Sequence, residues 1–202
     1  MCEIIDAMGE SSANNFSGIR YVFLDRDGVL NRSLPDGRFV TCWEQVELLP
    51  GIAEAIARLN RSGRKVIVVT NQRAVALGLC SETELLALHD RLRECLASQG
   101  AHLDAIYYCP HDVGECNCRK PLPGLFEQAF RDFPDANPGN SVMIGDSLSD
   151  MEAGARLGMR TIFIAADHAR PMDATSAAVP VARSLEDCVQ RYFCRGCSNR
   201  DS

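Results

Sequence analysis

Tyr21-Val22-Phe23-Leu24-Asp25-Arg26-Asp27-Gly28 is the stretch that decides the fold. An apolar run this short is the length of a buried strand, and Asp-Gly closes it as a turn. Two carboxylates at i and i+2 leave that strand pointing the same way, at the carboxyl edge of a sheet. Open α/β sheets put their chemistry at that edge. One carboxylate can attack an electrophile while its neighbour handles the proton, and the pair can hold a hard divalent cation. Asp-x-Asp alone is usually a plain turn, so the reading rests on what the other segments supply.

Working outward, strand and helix signals alternate. Ile52, Ala55, Ile56 and Leu59 share one helical face, opened by Pro50-Gly51 and stopped near Ser62-Gly63. Val66-Ile67-Val68-Val69 reads as a second buried strand. Ser81-Glu82-Thr83-Glu84 is a capping box that opens a helix to about Gln99, ended by Gly100. Residues Ala105 to Tyr108 form a third strand, and Leu125, Ala129 and Phe133 mark a helix before Pro134. A fourth strand, Val142-Met143-Ile144, leads into a helix from about Ser149 to Leu157 with Gly158 as its stop. Thr161 to Ala165 is a fifth strand, and Ser184 caps a last helix to about Tyr192. This alternation, with continuous β-branched runs, predicts a Rossmann-like α/β fold: a parallel sheet with helices on both faces. The expected organisation is a single domain over 19–193, a loose leader over 1–18 and a flexible tail over 194–202. Two segments are irregular: a long insert from Asn31 to Leu49, and the cysteine-rich loop from Cys109 to Pro123.

Bulk properties narrow the function. The 202 residues suffice for one domain with a real core. A formal net charge of −6 argues against a surface that coats nucleic acid, and no apolar run approaches a membrane span. Met1 to Gly18 carries Glu3, Asp6 and Glu10 and lacks the basic start and apolar middle of a secretory signal. A cytoplasmic location and a monomeric state are therefore expected. Ten cysteines in a reducing compartment point to metal where they cluster. The scattered Cys2, Cys42, Cys80, Cys95 and Cys188 read as small, partly buried side chains.

Four motifs carry chemistry. Thr70-Asn71-Gln72 ends the second strand, where a hydroxyl and backbone amides can bind phosphate oxygens or simply cap the strand. Gly145-Asp146-Ser147-Leu148-Ser149-Asp150 ends the fourth. There Asp146 can complete a magnesium shell begun by Asp25, while Ser149 and Asp150 can equally cap the next helix, with Asp150 open between that role and the metal. Lys120 can balance the charge on Asp25 and a phosphoryl group, and Arg119 offers a planar fork for phosphate oxygens. Cys109, His111, Cys116 and Cys118 place three thiols and an imidazole within ten residues, a closed structural zinc set. Cys194-x-x-Cys197 has no second pair nearby and is not read as a ligand.

Together these residues resemble the haloacid dehalogenase superfamily of phosphatases from about Tyr21 to Ala165, its motifs met by Asp25-Arg26-Asp27-Gly28, Thr70, Lys120 and Gly145-Asp146 with Asp150. Asp-Arg-Asp-Gly with nearby Asn31, Thr-Asn-Gln, the Cys-Pro-His loop and Cys-Arg-Lys-Pro are similar to the D-glycero-D-manno-heptose 1,7-bisphosphate phosphatases and the related histidinol-phosphate phosphatases. The resemblance implies Asp25 as nucleophile forming an aspartyl-phosphate, and Asp27 as the acid that protonates the leaving alcohol and then the base that activates water. It implies Mg2+ on Asp25, Asp146 and the backbone carbonyl of Asp27, and Zn2+ on Cys109, His111, Cys116 and Cys118. Thr70 and Lys120 would hold the phosphoryl group, and Arg119 would touch the substrate. Three departures stand out. Arg73-Ala74-Val75-Ala76-Leu77-Gly78 replaces the usual Ser-Gly-Ile, small residue, Arg, Gly. The zinc loop is short, and Ser147 stands where a lysine is common.

The sequence is thus read as a magnesium-dependent phosphomonoesterase acting on a small phosphorylated sugar, a heptose 1,7-bisphosphate losing its 7-phosphate. Asn71, Arg73 and Arg119 are its expected substrate contacts, with Arg73 either reading the second phosphate or lying solvated in its loop. Histidinol phosphate or another small sugar phosphate is the alternative within the class. A DNA 3′-phosphatase shares the motifs, but the acidic balance and missing basic, aromatic groove oppose it. A catalytically silent zinc-loop binding module is the alternative from another class, opposed by the intact Asp25, Asp27, Lys120 and Asp146.

Overall fold

The computed structural model describes residues 16–165 and 179–194. Its strands are β1 (Tyr21–Leu24), β2 (Lys65–Asn71), β3 (Ala105–Cys109), β4 (Ser141–Gly145), β5 (Arg160–Ile164) and β6 (Val181–Ala182). Its α-helices are α1 (Ile52–Arg61), α2 (Glu82–Ala97), α3 (Gly124–Asp132), α4 (Leu148–Arg156) and α5 (Leu185–Tyr192). The strands form one parallel sheet in the order β3-β2-β1-β4-β5-β6. The chain builds outward from β1 through β2 to β3, then returns to lay β4 against the other side of β1, with Leu24 opposite both Val68 and Ile144. That reversal opens a crevice beyond the carboxyl ends of β1 and β4, the point where such sheets bind ligands.

Successive β1 side chains point to opposite faces, so one strand feeds two cores. Val22 and Leu24 pack with Ile56 and Leu59 of α1, Leu92 of α2 and Val189 of α5. Tyr21 and Phe23 pack with Leu125, Phe126 and Ala129 of α3 and Ala153 of α4. Phe23 is fully buried, its ring 5.3 Å from Phe126 and 5.8 Å from Phe130. Deleting such a ring costs about 3–5 kcal/mol, so the strand that carries the Asp pair is pinned from both sides. The expected Rossmann-like sheet with helices on both faces is what the chain forms.

The differences from the sequence reading have local causes. β2 runs on to Asn71, so Thr70 and Asn71 are strand residues rather than loop residues. The fourth helix begins at Leu148, capped by Ser147 instead of Ser149, because the Ser147 hydroxyl accepts the N–H of Asp150. β6 carries two residues, too few to print a period in the sequence. Phe16, inside the expected leader, is buried with its ring 5.3 Å from Tyr192 and 5.7 Å from Phe193, so the fold starts before residue 19. Cys2 and Cys197 lie outside the described residues. In the insert, Asn31 bridges antiparallel to Leu48 and parallel to Asp27, and Trp43 packs against the first core.

Candidate active site

Asp25 follows β1 and Asp146 follows β4, on the two sides of the reversal. Two glycines allow the close approach. A Cβ on Gly28, whose φ is +84°, would strike the Asp146 carboxylate, and a Cβ on Gly145 would strike that of Asp150. Thr70 comes in from the end of β2, and Lys120 from the loop after β3. The topology therefore gathers residues spread over 126 positions, from Asp25 to Asp150, into one place.

Lys120 is the hub. Its buried Nζ lies 3.0 Å from Asp25 Oδ1 and 2.6 Å from Asp150 Oδ1, and donates to the Val69 carbonyl at 2.7 Å. Burial opposes its charge, but Asp25 and Asp150 outweigh that and raise its pKa above the ordinary lysine value. The carboxylates carry the opposite strain. Burial pushes Asp25 up to about 7; Lys120 pulls against this, while Asp150, Asp27 and Asp146 add repulsion. Asp146 is pushed up to about 6, by burial first and Asp150 next. One lysine thus faces three clustered acids. The carboxylate oxygens of Asp25, Asp146 and Asp150 lie within 4.8 Å of one another, an all-oxygen set suited to a hard divalent cation. Asp150 is already committed: Oδ1 meets Lys120, and Oδ2 accepts the N–H and hydroxyl of Ser147 at 3.1 and 2.7 Å. It serves the capping box and the lysine together, which leaves Asp25 and Asp146 as the side chains fitted to an ion.

Asp27 has different company. Arg26 Nη2 donates to both of its oxygens, at 3.0 and 2.8 Å; Asn31 Nδ2 reaches Oδ1 at 2.9 Å and Gln72 Nε2 reaches Oδ2 at 3.0 Å. Gln72 also donates to Thr70 Oγ1 at 2.9 Å, tying the second motif to the first. Arg26, Asn31 and Gln72 were quoted within motifs but given no role by the sequence reading. Arg26 and Asn31 carried a signal, being donors close in sequence to the Asp pair, whereas Gln72 lies 45 positions from Asp27. Only the folded chain shows which way they turn.

Two expected substrate contacts are otherwise engaged. Asn71 Nδ2 donates to the Lys120 carbonyl and its Oδ1 accepts the Lys120 N–H, both at 3.0 Å, so Asn71 anchors the lysine's backbone. Arg73 makes a two-pronged ion pair with Asp112, Nε at 2.5 Å and Nη2 at 3.1 Å, which ties the segment after β2 to the cysteine-rich loop. Asp112 is held below the usual carboxylate range by that pair. Arg119 is half-buried, and its Nη1 has no hydrogen-bond partner, which leaves a donor for a ligand oxygen.

In the cysteine-rich loop, Cys118 Sγ lies 3.3 Å from Cys116 Sγ and 3.4 Å from His111 Nδ1; Cys109 Sγ lies 3.5 Å from Cys116 Sγ and 3.7 Å from His111 Nδ1. A tetrahedral zinc with sulfur bonds of about 2.3 Å would separate its ligands by about 3.8 Å. The four groups outline such a polyhedron and could hold the ion with modest expansion. Burial pushes the Cys109 and Cys118 thiols up, whereas hydrogen bonds from Cys118, the Arg119 backbone and Cys109 outweigh burial at Cys116 and bring it down to about 7.

A Rossmann-like sheet with this acid-and-lysine cluster at its reversal defines the class, that of the HAD-like hydrolases. A family model described as HAD-hyrolase-like matches residues 117–188. A Mycobacterium bovis protein named D-glycero-alpha-D-manno-heptose-1,7-bisphosphate 7-phosphatase is 45% identical over 132 residues, 65% of this chain and 69% of that one. Its Bordetella bronchiseptica counterpart, named for the beta anomer, is 35% identical over 170 residues, 84% of this chain and 93% of its own. The crystal structure of D,D-heptose 1,7-bisphosphate phosphatase from B. bronchiseptica, complexed with magnesium and phosphate, superposes with a TM-score of 0.77 at 34% identity, over 85% of this chain and 97% of that one. The chain belongs to the heptose-1,7-bisphosphate 7-phosphatase family of HAD-like phosphatases.

Proposed function

We propose that this chain hydrolyses the 7-phosphate of D-glycero-D-manno-heptose 1,7-bisphosphate through an aspartyl-phosphate on Asp25. The observation that carries the reading is Lys120, buried between Asp25 and Asp150 with Asp146 alongside and Asp27 two residues on. Phosphoryl transfer needs positioning and positive charge more than covalent machinery, and this cluster offers both.

A carboxylate oxygen of Asp25 attacks phosphorus as the bond to the sugar oxygen breaks, and Asp27 gives its proton to that leaving oxygen. Water then attacks the phosphorus of the aspartyl-phosphate and passes a proton to Asp27, while the bond to Asp25 breaks and inorganic phosphate leaves. Lys120 favours the ionised form of Asp25 against burial and the neighbouring acids and balances the transferring group, with the Thr70 hydroxyl as its expected companion on the phosphoryl oxygens. Mg2+ held by Asp25, Asp146 and the Asp27 backbone carbonyl would supply further positive charge against the phosphoryl oxygens. Zn2+ on Cys109, His111, Cys116 and Cys118 would staple the loop that delivers Arg119 and Lys120. The reading also takes the enzyme to be a cytoplasmic monomer. Thiols free for zinc support the reducing compartment, and no helix among the described residues is long and apolar enough to cross a membrane.

Relatives named for the alpha and for the beta anomer both match, so the test is phosphate release from both anomers, with histidinol phosphate and common sugar monophosphates alongside. The highest kcat/KM is expected for one heptose bisphosphate anomer. A higher value for histidinol phosphate would overturn the substrate, and no release from any ester would overturn the enzyme.

A further inference from the structure

Arg26 is the largest side chain in the described fold with no solvent exposure, and it stands between the two acids. Its guanidinium folds back on its own neighbour: Nη2 and Nε meet Asp27 Oδ1 at 3.0 and 3.3 Å, and Nη2 meets Oδ2 at 2.8 Å. The third nitrogen, Nη1, lies 3.2 Å from Nε2 of His89, a residue of α2 that is 63 positions away and also buried. A planar fork held only at one edge can pivot about the carboxylate it grips. A second contact on the opposite edge, from another element, stops the pivot.

The hydrogen-bond inventory fixes the imidazole. Arginine donates only, so Nε2 must accept and the ring proton sits on Nδ1. His89 Nδ1 is buried with no hydrogen-bond partner. A buried N–H without an acceptor is a cost that an apolar residue here would avoid. That residue would, however, leave the buried Arg26 Nη1 without an acceptor, so the ring's Nε2 is what satisfies and holds the outer edge of the fork. Burial, and Arg26 after it, lowers the His89 pKa to about 3, so the ring stays neutral and can accept throughout the working range.

We propose that His89 is a positioning residue for Asp27, acting through the Arg26 guanidinium to hold the Asp27 carboxyl where it can reach the leaving oxygen. This rests on the reading of Asp27 as the proton donor. Asn31 and Gln72 touch Asp27 directly; His89 acts one step removed, from α2.

Glutamine and asparagine at 89 provide the test. The amide of glutamine overlays the outer ring nitrogen and can accept from Arg26. That of asparagine overlays Nδ1 and falls short. Two substrates are compared by kcat/KM, which reports steps up to departure of the leaving group: an alkyl phosphate that the wild type turns over, and p-nitrophenyl phosphate, whose phenolate leaves without a proton. His89→Asn should lose about 10- to 100-fold on the alkyl ester and little on the aryl ester, and His89→Gln should remain near wild type on both. Melting curves check that both variants fold. Should His89→Asn fail to fold, Arg26→Lys, which keeps the charge but not the fork, should give the same alkyl-selective loss. Equal losses on both esters, no loss, or a glutamine variant as impaired as the asparagine one would overturn the proposal. Wild-type turnover of the heptose bisphosphate tests the substrate separately, so the two readings fail independently.

Discussion

Replacing Lys120 with methionine keeps the stem and removes the one cation that the described residues place among Asp25, Asp146 and Asp150. The magnitude follows from the geometry. Contacts at 3.0 and 2.6 Å in this setting are worth roughly 5–6 kcal/mol each at an effective dielectric near 20, set against the several kcal/mol it costs to bury the ammonium. The variant need not lose all of that, because the acids have an escape: one of them can take up a further proton. Holding an ordinary carboxyl, of pKa about 3.9 when unfolded, protonated at pH 7 costs about 4 kcal/mol, and at pH 5 about 1.5 kcal/mol. The sign is fixed by linkage. The folded variant binds a proton that the unfolded chain does not, so the deficit of Lys120→Met against wild type is small in acid and grows as pH rises. Urea unfolding in EDTA at pH 5 and pH 7 measures it. The expected deficit at pH 7 corresponds to a melting point lower by about 8–16 °C for a domain of this size. A deficit at pH 7 below about 1 kcal/mol, or one that is larger at pH 5 than at pH 7, would refute the picture of Lys120 as the counter-charge that the described residues supply to a strained acid cluster.

Asp25→Asn should abolish turnover and leave no acid-stable phosphoenzyme, whereas Asp27→Asn should lose about 10²–10⁴-fold in phosphate release while still binding inorganic phosphate by calorimetry. Cys116→Ser should reduce zinc from one to less than one per chain by elemental analysis and lower activity by loosening the segment that carries Arg119 and Lys120; full activity without zinc would be the contrary result. Arg73→Ala should leave the melting point nearly unchanged, since its pair with Asp112 lies at the solvent-screened surface. Because that pair already occupies its guanidinium, it should impair mono- and bisphosphate substrates alike. A loss confined to the bisphosphate would restore Arg73 as the reader of the second phosphate.

The sequence showed some of this and hid the rest for physical reasons. Three of the motifs stood at the end of an apolar run, and strand ends at a reversal are where a parallel sheet converges, so Asp25, Thr70 and Asp146 could be read together, whereas Lys120, in the long loop after β3, was legible through the resemblance. The cysteine-rich loop was legible because its four ligands are local. The partner of Arg73 was not, since Asp112 lies 39 positions away and is charged like many loop residues. Nor was the duty of Asn71, which spends both ends of its amide on a backbone 49 residues on. His89 shows the limit most clearly. On α2 it falls on the buried face beside Leu85, Leu88 and Leu92, where the 3.6-residue pattern marks it as core and says nothing of what its nitrogen touches.

Asp25 and Asp27 differ by two positions and by nothing in chemical type, so the division of labour proposed for them must come from what surrounds them. Around Asp25 the neighbours are acids with one lysine among them, and burial and repulsion raise its affinity for any positive charge, proton or metal. Around Asp27 the neighbours are donors: a guanidinium, two amides, and behind the guanidinium a neutral imidazole. On the proposed roles Asp25 and Asp146 would hold the cation, because the Asp27 side chain is already satisfied by Arg26, Asn31 and Gln72. The same donors hold the Asp27 carboxyl in one orientation and would keep it from a metal on Asp25 and Asp146. A nucleophile needs its charge balanced beside the phosphorus; a proton carrier needs a fixed path and freedom from the ion. Exchanging the two settings would pin the nucleophile to an arginine and hand the proton carrier to the metal, which is why the order of the two acids along the chain matters as much as their presence.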